Sequence, residues 1–296
     1  MIIYSTESKI AKANPLLKAE RVTIVVGFNF GDGVLICADT KHSGKANQFR
    51  TKLHTKEYPS GSKSVFAIAG RTHFARMAVE ECEQALASIS DPTLQDMEDR
   101  IVEVLVEVHR KHIFPHPAKG YEGGPDFNLL IGLWSPHDKQ RLYRTDETAL
   151  DRVPTYDCLG TGEYLARYII DPRYAGPQLE FKQVLFTAIT ALGRIKKYDP
   201  NCGGKSEFVV LRRNGEMAHE TEFDISQGEK FSDTFFNLAT AVYTMIADYP
   251  LTDEQVKQHI TWFLEAVNDA RGSLQTEKDY RDSLRRALSS PQNKGQ

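Results

Sequence analysis

The sequence has little of what marks a protein's chemistry at once. Cysteine is sparse: Cys37, Cys82, Cys158 and Cys202 are the four in 296 residues, and none belongs to a CxxC pair. A zinc or thioredoxin-like motif needs such pairing and is not expected. No apolar run reaches the roughly 18 residues of a membrane span. The opening MIIYSTESKIAKANPLL is too polar for a secretory core segment. Excess charge is lacking too. The formal net charge of −3 gives no reason to expect a nucleic acid or an anionic membrane as partner. Reduced thiols in a cytoplasm are the simplest reading.

What is present is ordinary globular composition, 41% hydrophobic and 26% charged, enough for one large domain or two small ones. The stretch with most to say runs from Val22 to Lys52. A short apolar run, Thr23 to Phe28, leads into Phe30-Gly31-Asp32-Gly33, which reads as a tight hairpin turn because Asp-Gly tolerates positive φ. A second strand, Val34 to Ala38, ends on Asp39-Thr40, and Lys52 follows in a polar segment. A Thr at a strand start, an Asp at a strand end and a Lys beyond can meet at one end of a small sheet. A hydroxyl nucleophile needs a base and a group that tunes that base, and these residue types can supply both.

The ordered set Thr23, then Asp-Gly-Val-Leu-Ile-Cys-Ala-Asp39-Thr-Lys, then Lys52-Leu-His, then Phe66-Ala-Ile-Ala-Gly70 resembles the β-type subunits of the proteasome, which are N-terminal-nucleophile hydrolases. The resemblance extends to Gly160-Thr161-Gly162, where the family has Gly-Ser-Gly, and to Asp199-Pro-Asn-Cys202-Gly-Gly, where it has Asp-x-x-Ser-Gly-Gly. It covers about Val22 to Glu220. It implies an α+β fold, a four-layer α-β-β-α sandwich. It also implies a threonine-type endopeptidase working inside an oligomeric chamber. Catalytic roles follow for Thr23, Asp39, Lys52, Gly70, Thr161, Asp199 and Cys202, and substrate-binding roles for Ile68, Thr40 and Ser43. Within that scheme Gly70 offers its N–H to an oxyanion, and Thr161 keeps the hydroxyl that contacts the nucleophile. Asp199 is the acidic partner. Cys202 replaces a Ser with a weaker donor. An apolar Ile68 floor favours cleavage after apolar residues. The implied partners are a peptide or unfolded protein substrate and a homo-oligomeric ring, with no cofactor and no metal.

The same residues admit two other readings. Val22 stands where processed subunits have Gly, and a β-branched residue does not bend cheaply for self-cleavage before Thr23. An unprocessed chain would be a silent structural subunit of a proteasome-like ring. An amidase or acyltransferase acting on a small molecule is the third reading. Residues 1–22 are accordingly either a loosely docked arm or a propeptide.

Elsewhere the pattern is structural. Lys63 to Gly70 reads as a strand, and Gly70 can equally serve only the turn into a helix. Phe74, Met77, Ala78, Cys82, Ala85 and Leu86 recur at helical spacing. Asp91-Pro92 ends that helix, and Thr93 caps a second running to Val108. The segment His109 to Pro117 carries three histidines but also two prolines and no suitably spaced carboxylate, so a polar loop is expected rather than a metal site. Phe127 to Trp134, Arg141 to Arg144 and Thr155 to Leu159 read as strands, and a helix spans Phe181 to Lys196. Glu207 to Leu211 and Glu216 to His219 make a closing hairpin. The expected division is a leader at 1–22, a hydrolase domain at 23–225 and a helical extension at 226–296. That extension holds helices at Phe231 to Tyr249, Thr252 to Asn268 and Thr276 to Leu288, with a disordered end.

Overall fold

The structure is a computed structural model that describes residues 23–42, 48–119, 124–220, 222–247, 251–265, 267–268 and 272. The leader, Ser43 and the helix expected at Thr276 to Leu288 lie outside the described residues.

Among the described residues twelve strands follow one another: β1 (Ile24–Phe30), β2 (Gly33–Asp39), β3 (Lys41–His42), β4 (Gln48–Phe49), β5 (Leu53–Glu57), β6 (Lys63–Gly70), β7 (Phe127–Ser135), β8 (Lys139–Asp146), β9 (Ala149–Arg152), β10 (Tyr156–Gly160), β11 (Ser206–Arg212) and β12 (Met217–His219). The helices are α1 (Thr72–Ala87), α2 (Leu94–Val108), α3 (Glu163–Ile170), α4 (Phe181–Tyr198) and α5 (Glu222–Ala247). Apart from the two-stranded β3-β4 pair, the strands form two five-stranded sheets, ordered β10-β1-β2-β11-β12 and β5-β6-β7-β8-β9. Every pairing is antiparallel.

Three apolar layers show why the central strands read as continuous hydrophobic runs rather than alternating ones. Successive side chains leave a strand on opposite faces, and here both faces are covered. Val25, Val34, Ile36, Ala67, Leu130 and Leu142 fill the space between the sheets. Val26, Phe28, Leu35 and Cys37 face Ala166, Leu192 and Ile195 of α3 and α4. Phe66, Ile68 and Ile131 face Val79, Ile101 and Leu105 of α1 and α2. The order is therefore helix, sheet, sheet, helix: the expected four-layer α-β-β-α sandwich. Thr93 closes a capping box at the start of α2, its hydroxyl accepting from Asp96 N while the Asp96 carboxylate accepts from Thr93 N, an arrangement that stabilises a helix start by about 1 kcal/mol.

Several local expectations change. Neither Asp32 nor the glycines beside it adopt positive φ. Gly33 is needed for space instead, since a Cβ there would lie 2.6 Å from the Leu211 carbonyl of the neighbouring strand. His109 does not belong to a polar loop. It opens a π-helical turn (His109–Ile113), is 2% exposed, and packs against Phe114 and Phe127 with Nδ1 on the Leu105 carbonyl. The short edge strand β9 was not expected, because ALDR is charged and largely exposed, and only its pairing with β8 makes it a strand. α5 starts at Glu222, ahead of Phe231: Ile225 is buried among the α4 residues, and that packing extends a segment of modest helix propensity.

Two compact units are present, Met1–Gly228 and Glu229–Gln296. The first holds both sheets. The described part of the second is helical, comprising the rest of α5 and residues 253–265. Among the described residues no helix is long and apolar enough to cross a membrane.

Candidate active site

Thr23 immediately precedes β1, and Asp39 ends β2. The antiparallel register pairs Val25 with Ala38, which brings the start of one strand beside the end of the other. Lys52 immediately precedes β5 in the second sheet, so its side chain crosses from one sheet to the other. The three groups meet in a nearly dry place: Thr23, Asp39 and Lys52 are 3%, 0% and 2% exposed. Lys52 Nζ donates to Asp39 Oδ1 at 2.6 Å and is hydrogen-bonded to Thr23 Oγ1. Thr23 Oγ1 in turn lies 3.2 Å from Asp39 Oδ1.

Asp39 is held by more than its lysine. Oδ1 also accepts from Ile24 N at 3.0 Å, and Oδ2 accepts from Gly203 N at 2.8 Å. Two backbone donors therefore fix the carboxylate before any side chain is considered. Gly203 is placed by a short ladder, with Lys41 N donating to Gly203 O at 3.0 Å. Thr40 takes part in the same stitching: its N–H donates to Lys205 O at 3.0 Å and its hydroxyl accepts from Lys205 N at 2.9 Å. Burial pulls the Lys52 pKa below its ordinary value, against the pull of Asp39, Cys202 and Glu207 in the other direction. That places the lysine where its charge is costly and sensitive to what approaches it.

Gly160 shapes the ground next to Thr23. Its φ is +106°, and a Cβ there would sit 2.2 Å from the Thr23 carbonyl oxygen. Only glycine fits. The following turn brings Gly162 N to 3.4 Å from the same carbonyl. The Thr161 side chain acts on the Cys202 thiol through a hydrogen bond that pulls the thiol pKa down. Cys202 Sγ donates to Asp199 Oδ2 at 3.5 Å, and Asp199 Oδ1 accepts from Asn201 N at 2.8 Å. Burial raises the Cys202 pKa, with Asp39 and Asp199 adding to the effect, so the thiol stays protonated and donates. Thr161, Cys202 and Asp199 thus form a chain beside the Thr23–Asp39–Lys52 cluster.

Gly70 ends β6 across the cleft. Ile68 N donates to Lys52 O at 3.1 Å, so the Gly70 N–H, two residues along, leaves β6 on the same edge. Ile68 itself is 2% exposed, its side chain among Phe66, Ala75 and Val79 on the helix side of the sheet. No group of three or more His, Cys, Asp or Glu side chains suited to a metal occurs among the described residues.

The residues that sequence reasoning missed act through backbone or absence: Ile24 N and Gly203 N on Asp39, and Gly160 against Thr23. The only trace of them in the sequence is the glycine spacing itself.

The four-layer sandwich of two antiparallel sheets is consistent with the N-terminal-nucleophile fold. The family model for the proteasome subunit matches residues 20–211, and the chain belongs to that family. No curated protein matches it. Among solved structures it is similar to the Anbu (Gly-1) mutant from Hyphomicrobium sp. strain MC1, at 14% identity and a TM-score of 0.63, over 76% of this chain and 99% of that one. It is similar to Anbu (ancestral beta-subunit) from Yersinia bercovieri, at 14% identity and a TM-score of 0.62, over 78% and 99%. The helical assembly of the Anbu complex from Pseudomonas aeruginosa matches at 17% identity and a TM-score of 0.63, over 78% and 98%. At these identities the likeness is one of fold.

Proposed function

We propose that the protein is a threonine-type endopeptidase subunit whose nucleophile is Thr23, freed by removal of residues 1–22. The observation that carries this reading is the convergence of Lys52 Nζ and Asp39 Oδ1 on Thr23 Oγ1 in a site almost closed to water. The Thr23 hydroxyl attacks a peptide carbonyl, forming an Oγ1–C bond as its proton passes to the freed α-amine. That amine has an ordinary pKa near 8, and the neighbouring Lys52 cation lowers it toward neutrality. Asp39 holds Lys52, and the Gly70 N–H receives the oxyanion, an interaction of a few kcal/mol in such sites. The C–N bond then breaks, the amine proton goes to the leaving nitrogen, and water hydrolyses the ester. The Thr161–Cys202–Asp199 chain supports the amine side of this exchange. The solved neighbour described as a helical assembly supports association of like subunits as the working form. A cytoplasmic location and a peptide or unfolded-protein substrate complete the proposal.

The test is the intact mass of the purified protein with its N-terminal sequence. A species beginning at Thr23 is expected, with Thr23→Ala remaining full length and without peptidase activity. A fully assembled protein that retains residue 22 sinks the reading. The structural-subunit alternative then stands.

A further inference from the structure

A cavity of about 300 Å3 opens between the two sheets at the end where Thr23 lies. Gly70, Gly160 and Thr161 line it, so it borders the oxyanion donor and the turn packed on Thr23. Its floor is apolar, Ala69 and Leu159 of the inter-sheet layer. The rest of its lining is polar: Asp126, Asn128, Arg144 and Glu163. The ions among these are already compensated. Arg144 pairs with Asp157 at 3.1 Å and lies 3.7 Å from Glu163, Arg167 pairs with Glu163 at 3.0 Å, and Asp126 accepts from Lys119 at 3.3 Å. Asn128 differs. It pairs with Ala69 across β6 and β7, so its side chain leaves the sheet on the cavity face. Its carboxamide has no hydrogen-bond partner among the described residues.

A neutral group with both donors and an acceptor is the complement of a peptide unit rather than of an ion. Position gives the cavity its sense along a substrate. Ile68 and Ala69 leave β6 on opposite faces. With the acyl side of the scissile bond at the Ile68 face, the leaving side falls on the Ala69 face, over Asn128. We propose that this cavity is the leaving-group subsite and that Asn128 hydrogen-bonds the backbone of the peptide segment after the cut. The assignment rests on the hydrolase reading above. It makes extended polypeptide, rather than a small amide, the substrate class.

Anisotropy of a fluorescein-labelled octapeptide with the full chain carrying Thr23→Ala tests it without turnover. Adding Asn128→Ala should weaken binding by about threefold to tenfold, the worth of one or two hydrogen bonds. The near-isosteric Asn128→Asp, which lacks the amide donors, should also bind more weakly, so a folding defect in one variant does not decide the result. In the Thr23 protein, Asn128→Ala should raise KM for the octapeptide more than for the same acyl peptide with a small aromatic amine as leaving group. Equal octapeptide binding by parent and variants, equal changes in both KM values, or no octapeptide binding overturns the assignment. Asn128-dependent binding without turnover by the Thr23 protein refutes the hydrolase reading, and the leaving-group assignment with it, while leaving Asn128 a peptide-binding residue.

Discussion

Lys52→Met isolates the central charge pair. The substitution keeps the length of the side chain but removes the cation from Asp39, which is 0% exposed. Breaking a buried pair from one side typically destabilises by about 3–5 kcal/mol, because the remaining charge is left uncompensated. Here the lower end applies, since Asp39 keeps Ile24 N, Gly203 N and the Thr23 hydroxyl as donors. A loss of about 3 kcal/mol is expected, read as a lowered urea midpoint at unchanged slope. Adding Asp39→Leu should recover part of that loss, since a buried pair replaced whole is often tolerated. Lysine burial also sets a pH dependence. The Lys52 pKa is lower in the folded chain than its ordinary 10.5, so between the two values the unfolded state binds more protons, and stability contributed by this group rises with pH. Below that window the cost of burying the cation is present in full; above it the cost is relieved. Lys52→Met should flatten this rise. A loss under about 1 kcal/mol, a double variant no more stable than Lys52→Met, or an unchanged alkaline rise would refute the argument.

Two further substitutions test the surroundings. Gly160→Ala forces positive φ on an alanine, about 1–2 kcal/mol, and drives a Cβ into the Thr23 carbonyl. Denaturation should show at least that loss, and peptidase activity should fall with it; a neutral outcome would mean that the turn does not hold Thr23. Cys202→Ser replaces a weak donor with a strong one between Thr161 and Asp199. A severalfold rise in kcat with KM unchanged is expected, measured on a fluorogenic peptide, and a fall in kcat would remove the Cys202 chain from the mechanism.

Much of the architecture was legible because its physical cause is local. The runs of β1, β2, β6 and β7 are apolar on both faces, which only strands buried on both sides need to be. Thr93 announces a helix start, and Pro200 just past α4 forbids its continuation. Thr23, Asp39 and Lys52 stand at strand boundaries that the hydrophobic pattern already draws. Outcomes that depend on a neighbour distant in the chain were not legible. The edge strand β9 exists because β8 offers it a pairing edge. His109 is buried because Phe127 arrives beside it from another element. Gly33 is set by the approach of Leu211 rather than by its own turn.

The site divides the same way. Residue types and their order along the chain supply a hydroxyl, a carboxylate and an amine. The tertiary structure decides that all three lie in one water-poor place, since Lys52 belongs to one sheet and its partners to the other. It also decides that Gly160 packs against the Thr23 carbonyl, leaving no room for a side chain there. Side-chain chemistry is written residue by residue. Desolvation and direction come only from packing, and these two set what the chemistry can do.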